Sequence, residues 1–403
     1  MIQNYIVYHL KGIIYDEFLR NCKSTHVYTT IYLWSQPVVI EEQELKKARK
    51  YVKTNQDNKV SYALLSKLEK TFSINNRRYL GNKYKLNQFI ESIILKECGE
   101  FESFADLFAG TGSVASIFQN KHLIVNDILY SNYVCHQTWF GTEKYSLQKI
   151  CSFISKYNSI TISKDNYMSK IYSNTYFNKE NCRKIGFIRE DIEQNYIKNH
   201  INHREKCILI TSLLYAMDKI ANTCGHYDAY RKNGELDKKL ELLIPKIYTT
   251  NFKNEIYNED INNLVKIVRA DVVYLDPPYN SRQYCDAYHL LENVARWEKP
   301  KVVGVAKKMD RSNLKSEYCT ISATKAFEDL IDNIKAKYIV LSYNNMANKG
   351  NDRSNAKLSD DDILRILKLK GKVKIFSQDY KAFSTGKSNI EENAERLFVC
   401  QCF

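Results

Sequence analysis

Apolar and polar residues repeat with two periods along this chain, and the alternation between them predicts an α/β body. From Phe101 the segment FESFADLF runs into AGTGS and then VASIFQN, which reads as strand, glycine turn and helix. HLIVNDI follows as a second strand closing at Asp127. Strand, turn, helix and strand in that order begin a doubly wound unit.

Further on, ADVVYLDPPY is a β-branched strand entering a proline turn. The next stretch, QYCDAYHLLENVARW, places Ala287, Leu290, Leu291, Val294 and Ala295 on one helical face. AFEDLIDNI predicts an amphipathic helix before the buried-type strand KYIVLS, Lys337 to Ser342. KVKIFSQDY and RLFVCQCF read as two last strands that can pair antiparallel across a polar loop. Between Asp127 and Asp276 lie about 150 residues, against roughly 30 for a simple βαβ unit, so a second domain is expected there. Its most apolar helix, CILITSLLYAMDKIAN, is expected to pack it on the sheet. The first 75 residues depart from the α/β pattern, and EEQELKKARKYV and YALLSKLEKTF predict two helices around a polar loop.

Composition adds four constraints. A hydrophobic share of 44% and a charged share of 26% belong to an ordinary globular chain. No run reaches the length of a membrane span and the N-terminus lacks the pattern of a signal peptide, so a cytoplasmic protein without a membrane partner is expected. Sixty Lys and Arg against 46 Asp and Glu give a net charge of +14, which favours a polyanion, nucleic acid or membrane surface, although an AT-rich genome also raises Lys, Asn, Ile and Tyr. The 11 cysteines are odd in number and form no CxxC pair, so reduced thiols packed as small apolar residues are expected, with no metal site.

The chemistry lies in two turns. Asp106, Phe108, Gly110 and Gly112 make a turn where backbone can approach a ligand. Asp127, about 20 residues after the first acid, stands where dinucleotide-type folds put a carboxylate on ribose hydroxyls. Together they imply a nucleoside-bearing cofactor, nicotinamide cofactors included. Asp276, Pro277, Pro278 and Tyr279 follow a strand's carboxyl end, where open α/β sheets bind ligands. Two prolines remove N–H donors and leave rigid carbonyls. The acid and a carbonyl can hold one aromatic amine, free its lone pair for attack on an electrophilic carbon such as a sulfonium methyl, and let Tyr279 stack on the ring. A base inside a duplex has to be flipped out to reach such a pocket.

In these motifs, roughly from Arg77 to the C-terminus, the chain resembles the Dam-like, alpha-class N6-adenine DNA methyltransferases, including those of restriction-modification systems. The resemblance implies a Rossmann-like S-adenosylmethionine-dependent methyltransferase sheet with an antiparallel C-terminal strand, and an inserted, mostly helical DNA-recognition domain. The corresponding boundaries are 1–75 for an extension, 76–130 with 255–403 for the catalytic domain, and 131–254 for the insertion. RRYLGNKYKL implies that Tyr79, Gly81 and Lys83 cover the methionine part of S-adenosylmethionine, with Asp106, Phe108, Gly110 and Gly112 around the same moiety. Asp127 is implied at the ribose, Asp260 of YNEDINNL near the adenine of the cofactor, and DPPY at the target amine. LSYNN and DYKAF are similar to the family's following motifs. ANTCGHYDAYRK, with His226, Tyr227, Tyr230, Arg231 and Lys232, is implied to contact double-stranded DNA, as are Arg282 and the loop carrying Lys307 and Lys308. A cognate restriction endonuclease is an implied partner. N4 of cytosine, adenine in RNA, a noncatalytic DNA-binding protein of this fold and, on the glycine turn alone, a nicotinamide oxidoreductase are the alternatives.

Overall fold

A computed structural model of the chain describes residues 29–33, 36–40, 71–248, 250–344, 356–379 and 394–403. The chain divides into two compact units, Met1–Thr71 and Phe72–Phe403. In the first, the described residues form an antiparallel hairpin, Thr29–Leu33 against Gln36–Ile40. The two expected helices, 41–52 and 62–72, lie outside the described residues except for Thr71 and Phe72, which are extended.

The second unit is built on a seven-stranded sheet. Its strands are β1 (Ser103–Asp106), β2 (His122–Asn126), β3 (Glu255–Tyr257), β4 (Ala270–Leu275), β5 (Ala336–Asn344), β6 (Gly371–Asp379) and β7 (Ala394–Cys402). The spatial order is β6-β7-β5-β4-β1-β2-β3. The pairs β1–β2, β1–β4, β2–β3 and β4–β5 are parallel, whereas β7 runs antiparallel to both β5 and β6. The fold is therefore the expected α/β sheet with a reversed C-terminal strand.

The period of two in the strands feeds two cores. Phe104, Leu123, Val125, Val272 and Tyr274 point to one face, and Ala105, Ile124, Val273 and Leu275 to the other. Each such burial contributes about 1.5–3 kcal/mol for a large apolar side chain. The first face is covered by α1 (Asn87–Cys98), α2 (Tyr130–Phe140), α6 (His203–Ile220) and α9 (His289–Arg296). The second is covered by the one-turn α7 (Ile261–Leu264), α10 (Ala323–Asn333) and α11 (Asp360–Lys370).

The long interval before β4 is helical, with α3 (Leu147–Ser159), α4 (Tyr167–Tyr172) and α5 (Lys179–Ile197) preceding α6. Ser146, Asn166, Asn178 and Asn202 cap these four helices by accepting a backbone N–H. Ile150, Tyr157, Ile185 and Ile188 belong to the same apolar cluster as Phe104 and Val272. Buried Arg189 of α5 donates to the carbonyls of Val294 (2.8 Å) and Ala295 (3.1 Å) at the end of α9, where no helical N–H follows. Residues 131–254 thus share one body with the sheet.

Three expected elements differ. The segment after the glycine turn is not an α-helix but a 3-10 turn, Ala115–Phe118. The link from β1 to β2 is short and the glycine turn consumes its first half, so no α-helix follows the turn before β2. β2 ends at Asn126, one residue before Asp127. The helix expected over QYCDAYHLLENVARW is broken at Tyr288 (φ −122°) into α8 (Tyr284–Ala287) and α9. Its five predicted apolar positions are all fully buried.

Candidate active site

The carboxyl ends of β1, β2 and β4 open onto a cavity of about 610 Å³. Its wall includes Asp106, Phe108 and Gly110 from the glycine turn, Asp127, and Asp276 with Pro278. Tyr79, Gly81 and Lys83 close it from the segment before α1, and Asp260 lines it where α7 begins. Gly112 and Pro277 are buried behind this wall.

The glycine turn is held by its acids. Gly110 N–H donates to Asp127 Oδ2 (2.8 Å), and Leu129 N–H donates to Asp127 Oδ1 (2.8 Å). His136 of α2 donates from Nε2 to the Gly110 carbonyl (2.9 Å), so both polar groups of Gly110 are fixed. Gly110 has φ +54°, and a Cβ there would meet the Tyr79 ring at 3.1 Å. A side chain at this position would therefore be strained and would crowd the ring. Gly112, at φ +81°, would place a Cβ 2.9 Å from Phe140. Ala115 N–H donates to Asp106 Oδ2 (3.1 Å), whereas Oδ1 is buried without a partner among the described residues. Burial pushes Asp106 up to about 8 and Asp127 up to about 6, and lowers His136 to about 3.

The proline turn holds a buried ion cluster. Lys83 Nζ donates to Asp276 Oδ1 (2.8 Å) and lies 3.6 Å from Glu395 Oε1. Burial alone would lower the Lys83 ammonium, but the two carboxylates outweigh it and hold its pKa well above the usual value. Burial raises Asp276 against the opposing pull of Lys83. The Asp276 side chain keeps 17% of its exposure, and among the described residues no donor reaches Oδ2. Lys83, implied at the cofactor by resemblance, is thus 5% exposed and paired with the DPPY acid. Tyr279 packs edge-on against Tyr343 (5.8 Å), and its carbonyl accepts from Lys357 N–H (2.7 Å).

An aromatic stack ties the two sides of the cavity. Tyr79 lies nearly parallel to Tyr288 at 4.4 Å and stacks on Tyr284 at 5.5 Å. Leu80 N–H donates to Tyr288 Oη (2.7 Å), and Tyr284 Oη donates to the Leu80 carbonyl (3.2 Å). Buried Arg77 faces the Tyr79 and Tyr288 rings and donates to Asp218 (3.2 Å) and Asn132 (2.9 Å). Asp260 caps α7 by accepting from Asn262 and Asn263 N–H, and Phe108 packs edge-on against Tyr318. Sequence reasoning missed His136, Tyr284, Tyr288 and Glu395. None lies in a motif that signals its partner, and each reaches the site through the fold alone.

The residues expected at DNA fall into three groups. Arg231, Lys232 and Arg282 are exposed. His226, Tyr230, Lys307 and Lys308 are half-buried, with Lys308 paired to Asp228 (2.9 Å) and Asp286 (3.4 Å) and Tyr230 edge-on to Tyr176. Tyr227 is a correction: it is 2% exposed, and its hydroxyl donates to Asp218 (2.7 Å). Its carbonyl accepts from His289 Nε2 (2.9 Å) and Tyr176 Oη (2.7 Å), so it braces the loop from within. Asn345 of LSYNN and most of DYKAF lie outside the described residues, and Leu341 to Asn344 end β5. Among the described residues no cluster of three or more His, Cys, Asp or Glu is arranged to hold a metal, and no helix is long and apolar enough to cross a membrane.

Residues 79–353 match the family described as D12 class N6 adenine-specific DNA methyltransferase. The modification methylase StsI of Streptococcus sanguinis is 37% identical over 347 residues, covering 80% of this chain and 52% of that protein. The modification methylase LlaI of Lactococcus lactis subsp. lactis is 30% identical, covering 79% and 53%. The type II methyltransferase M.NlaIII of Neisseria lactamica is 31% identical, covering 79% and 96%. The chain therefore spans about half the length of the first two relatives and nearly all of the third.

Proposed function

The chain belongs to the D12 class N6 adenine-specific DNA methyltransferases, and from that premise we propose that it transfers a methyl group from S-adenosylmethionine to N6 of adenine within a short DNA sequence, as the modification partner of a restriction system. The observation that carries this reading is the meeting of the glycine turn and the DPPY acid in one cavity, with one oxygen of Asp276 open to it.

The residues present suit the cofactor. The 610 Å³ cavity is of ligand size. Asp106 Oδ1 is a buried polar atom left without a partner among the described residues, and the bare Gly110 lets a ligand lie close to Tyr79. Tyr79, Gly81, Asp106, Phe108, Gly110, Gly112, Asp127 and Asp260 form or brace its site. S-adenosylmethionine, when bound, supplies an electrophilic methyl carbon on a sulfonium.

Asp276 Oδ2 and the proline-turn carbonyls accept the two amine hydrogens of a flipped adenine, which localises the nitrogen lone pair toward the cavity. Tyr279 provides the ring against which the base is held. With that cofactor held by these residues, the freed lone pair would take up the methyl carbon as the C–S electron pair returned to sulfur, and the extra amine proton would leave to solvent. Unstacking the base costs a few kcal/mol, offset by contacts along the DNA backbone. Residues 131–254, with Arg231 and Lys232, together with Arg282 and the loop carrying Lys307, supply those contacts and the sequence reading. The protein acts in the cytoplasm, beside a cognate endonuclease.

Incubation with unmethylated DNA and S-adenosylmethionine, followed by nucleoside mass spectrometry and single-molecule sequencing, tests the reading. N6-methyladenine at one short sequence is expected. N4-methylcytosine would reassign the base, and an unmodified product would sink the assignment.

A further inference from the structure

We propose that Glu395 is a positioning residue for the methyl-transfer step: it holds the Lys83 ammonium on one oxygen of Asp276 and so keeps the other oxygen for the target amine. This rests on the methyltransferase reading above.

Lysine carries its charge at the end of a flexible stem, with three rotatable donors and no fixed geometry. Paired with Asp276 alone, the Lys83 ammonium could slide between the two carboxylate oxygens and occupy the one the substrate needs. Instead it is held from three sides, by Asp276 Oδ1 at 2.8 Å, the Gly81 carbonyl at 3.5 Å and Glu395 Oε1 at 3.6 Å. Glu395 is itself fixed, being 4% exposed on β7 and accepting the Ser342 hydroxyl of β5 at 2.8 Å. The placement depends on β7 entering the sheet beside β5, which brings its first residues to the carboxyl end of the parallel strands.

Charge balance points the same way. Asp276 and Lys83 alone make a neutral pair, whose carboxylate is a weakened acceptor. Adding Glu395 leaves one net negative charge on the trio, which keeps Asp276 a strong acceptor for amine hydrogens. Among the described residues, the other charged or titratable groups around Asp276 are Asp106 at the end of β1, Tyr274 of β4, Tyr279 of the turn and Tyr284 of α8. Among the cations of the described residues, Lys83 is the one paired with it.

The test is the pH dependence of single-turnover methyl transfer by the full chain, between about pH 5 and 9, on an unmethylated duplex carrying the sequence that the protein modifies. S-adenosylmethionine affinity and melting temperature are measured alongside. Transfer requires ionised Asp276, and the neighbouring Glu395 charge opposes that ionisation. Glu395→Gln keeps the volume and removes the charge, so the acid limb should move to lower pH by roughly half a unit or more. Its plateau rate should fall by about tenfold as Lys83 relaxes onto both Asp276 oxygens, with cofactor affinity kept within about threefold. Glu395→Asp retains the charge and shortens the reach, so its acid limb should stay in place while its plateau falls.

An acid limb of Glu395→Gln that coincides with that of the unsubstituted chain overturns the inference. So does a rate loss matched by an equal loss of cofactor affinity, which marks a structural role. Should Glu395→Gln fail to fold, Glu395→Asp decides, and an undiminished plateau refutes the positioning role. Absence of transfer by the unsubstituted chain removes the methyltransferase reading itself, and this inference with it.

Discussion

Asp106 shows how one buried oxygen couples the site to stability. Its folded pKa is raised to about 8, against 3.8 for a free aspartate, because burial disfavours the charged form. An acid with a raised folded value is neutral in both states below about pH 4, and favours the unfolded chain increasingly as pH rises toward 8. Asp106→Asn mimics the neutral form and can still accept from Ala115 N–H. Its melting temperature should therefore gain on the unsubstituted chain as pH rises from about 4 to 8, by an amount equivalent to a few kcal/mol at the upper end. Thermal denaturation of the two proteins across that window checks this, and parallel curves would refute a buried, neutral Asp106. Asp276→Asn acts on chemistry instead. The amide keeps the shape, but it presents a weaker acceptor to Lys83 and to the target amine. Methyl transfer should drop by at least about a hundredfold, with S-adenosylmethionine affinity little changed. Rapid-quench rates and calorimetric binding of the cofactor separate the two effects.

At the level of elements, the strands were legible because alternation and β-branching are local, and Ser103–Asp106, His122–Asn126, Ala270–Leu275 and Ala336–Asn344 appear where the pattern puts them. The helix after the glycine turn was not, because its absence follows from the length of chain left before β2, not from the composition of VASIFQN. The break between α8 and α9 was hidden for another reason. Tyr288 has the helical spacing of its neighbours, but its hydroxyl is committed to Leu80 N–H and its ring to Tyr79, far back along the chain. Lys83 and Asp276 are likewise 193 residues apart, so a motif-by-motif reading assigned them separately to cofactor and target. The Tyr288 contact makes a prediction at this scale. Tyr288→Phe keeps the stack and leaves the Leu80 N–H without its acceptor, which costs about 1–3 kcal/mol. Because Leu80 lies between Tyr79 and Gly81, cofactor affinity should fall with stability. Tyr284→Phe, which removes a donor from a carbonyl that can be solvated, should have the smaller effect on both, as melting curves and cofactor titrations would reveal.

For the whole molecule, the net charge of +14 becomes informative once the exposed and committed cations are told apart. Lys308 is paired with Asp228 and Asp286, and Lys83 and Arg189 are buried, so none of these is a strong candidate for neutralising phosphates. Arg231 and Lys232 are exposed on the loop that Tyr227 braces from inside. Each cation that meets a phosphate releases counterions and adds close to one unit to the slope of log affinity against log salt. Arg231→Ala with Lys232→Ala should therefore weaken binding of target and non-target duplexes alike and reduce that slope by about two. Tyr227→Phe should leave the slope unchanged and lower the melting temperature, because it severs the buried bond to Asp218 without touching the surface. Fluorescence anisotropy titrations over a range of salt concentrations distinguish these outcomes. Loss of discrimination between target and non-target DNA in the Arg231/Lys232 double variant would instead make this loop a reader of bases. An unchanged slope would move the backbone contact to Arg282 and the loop carrying Lys307.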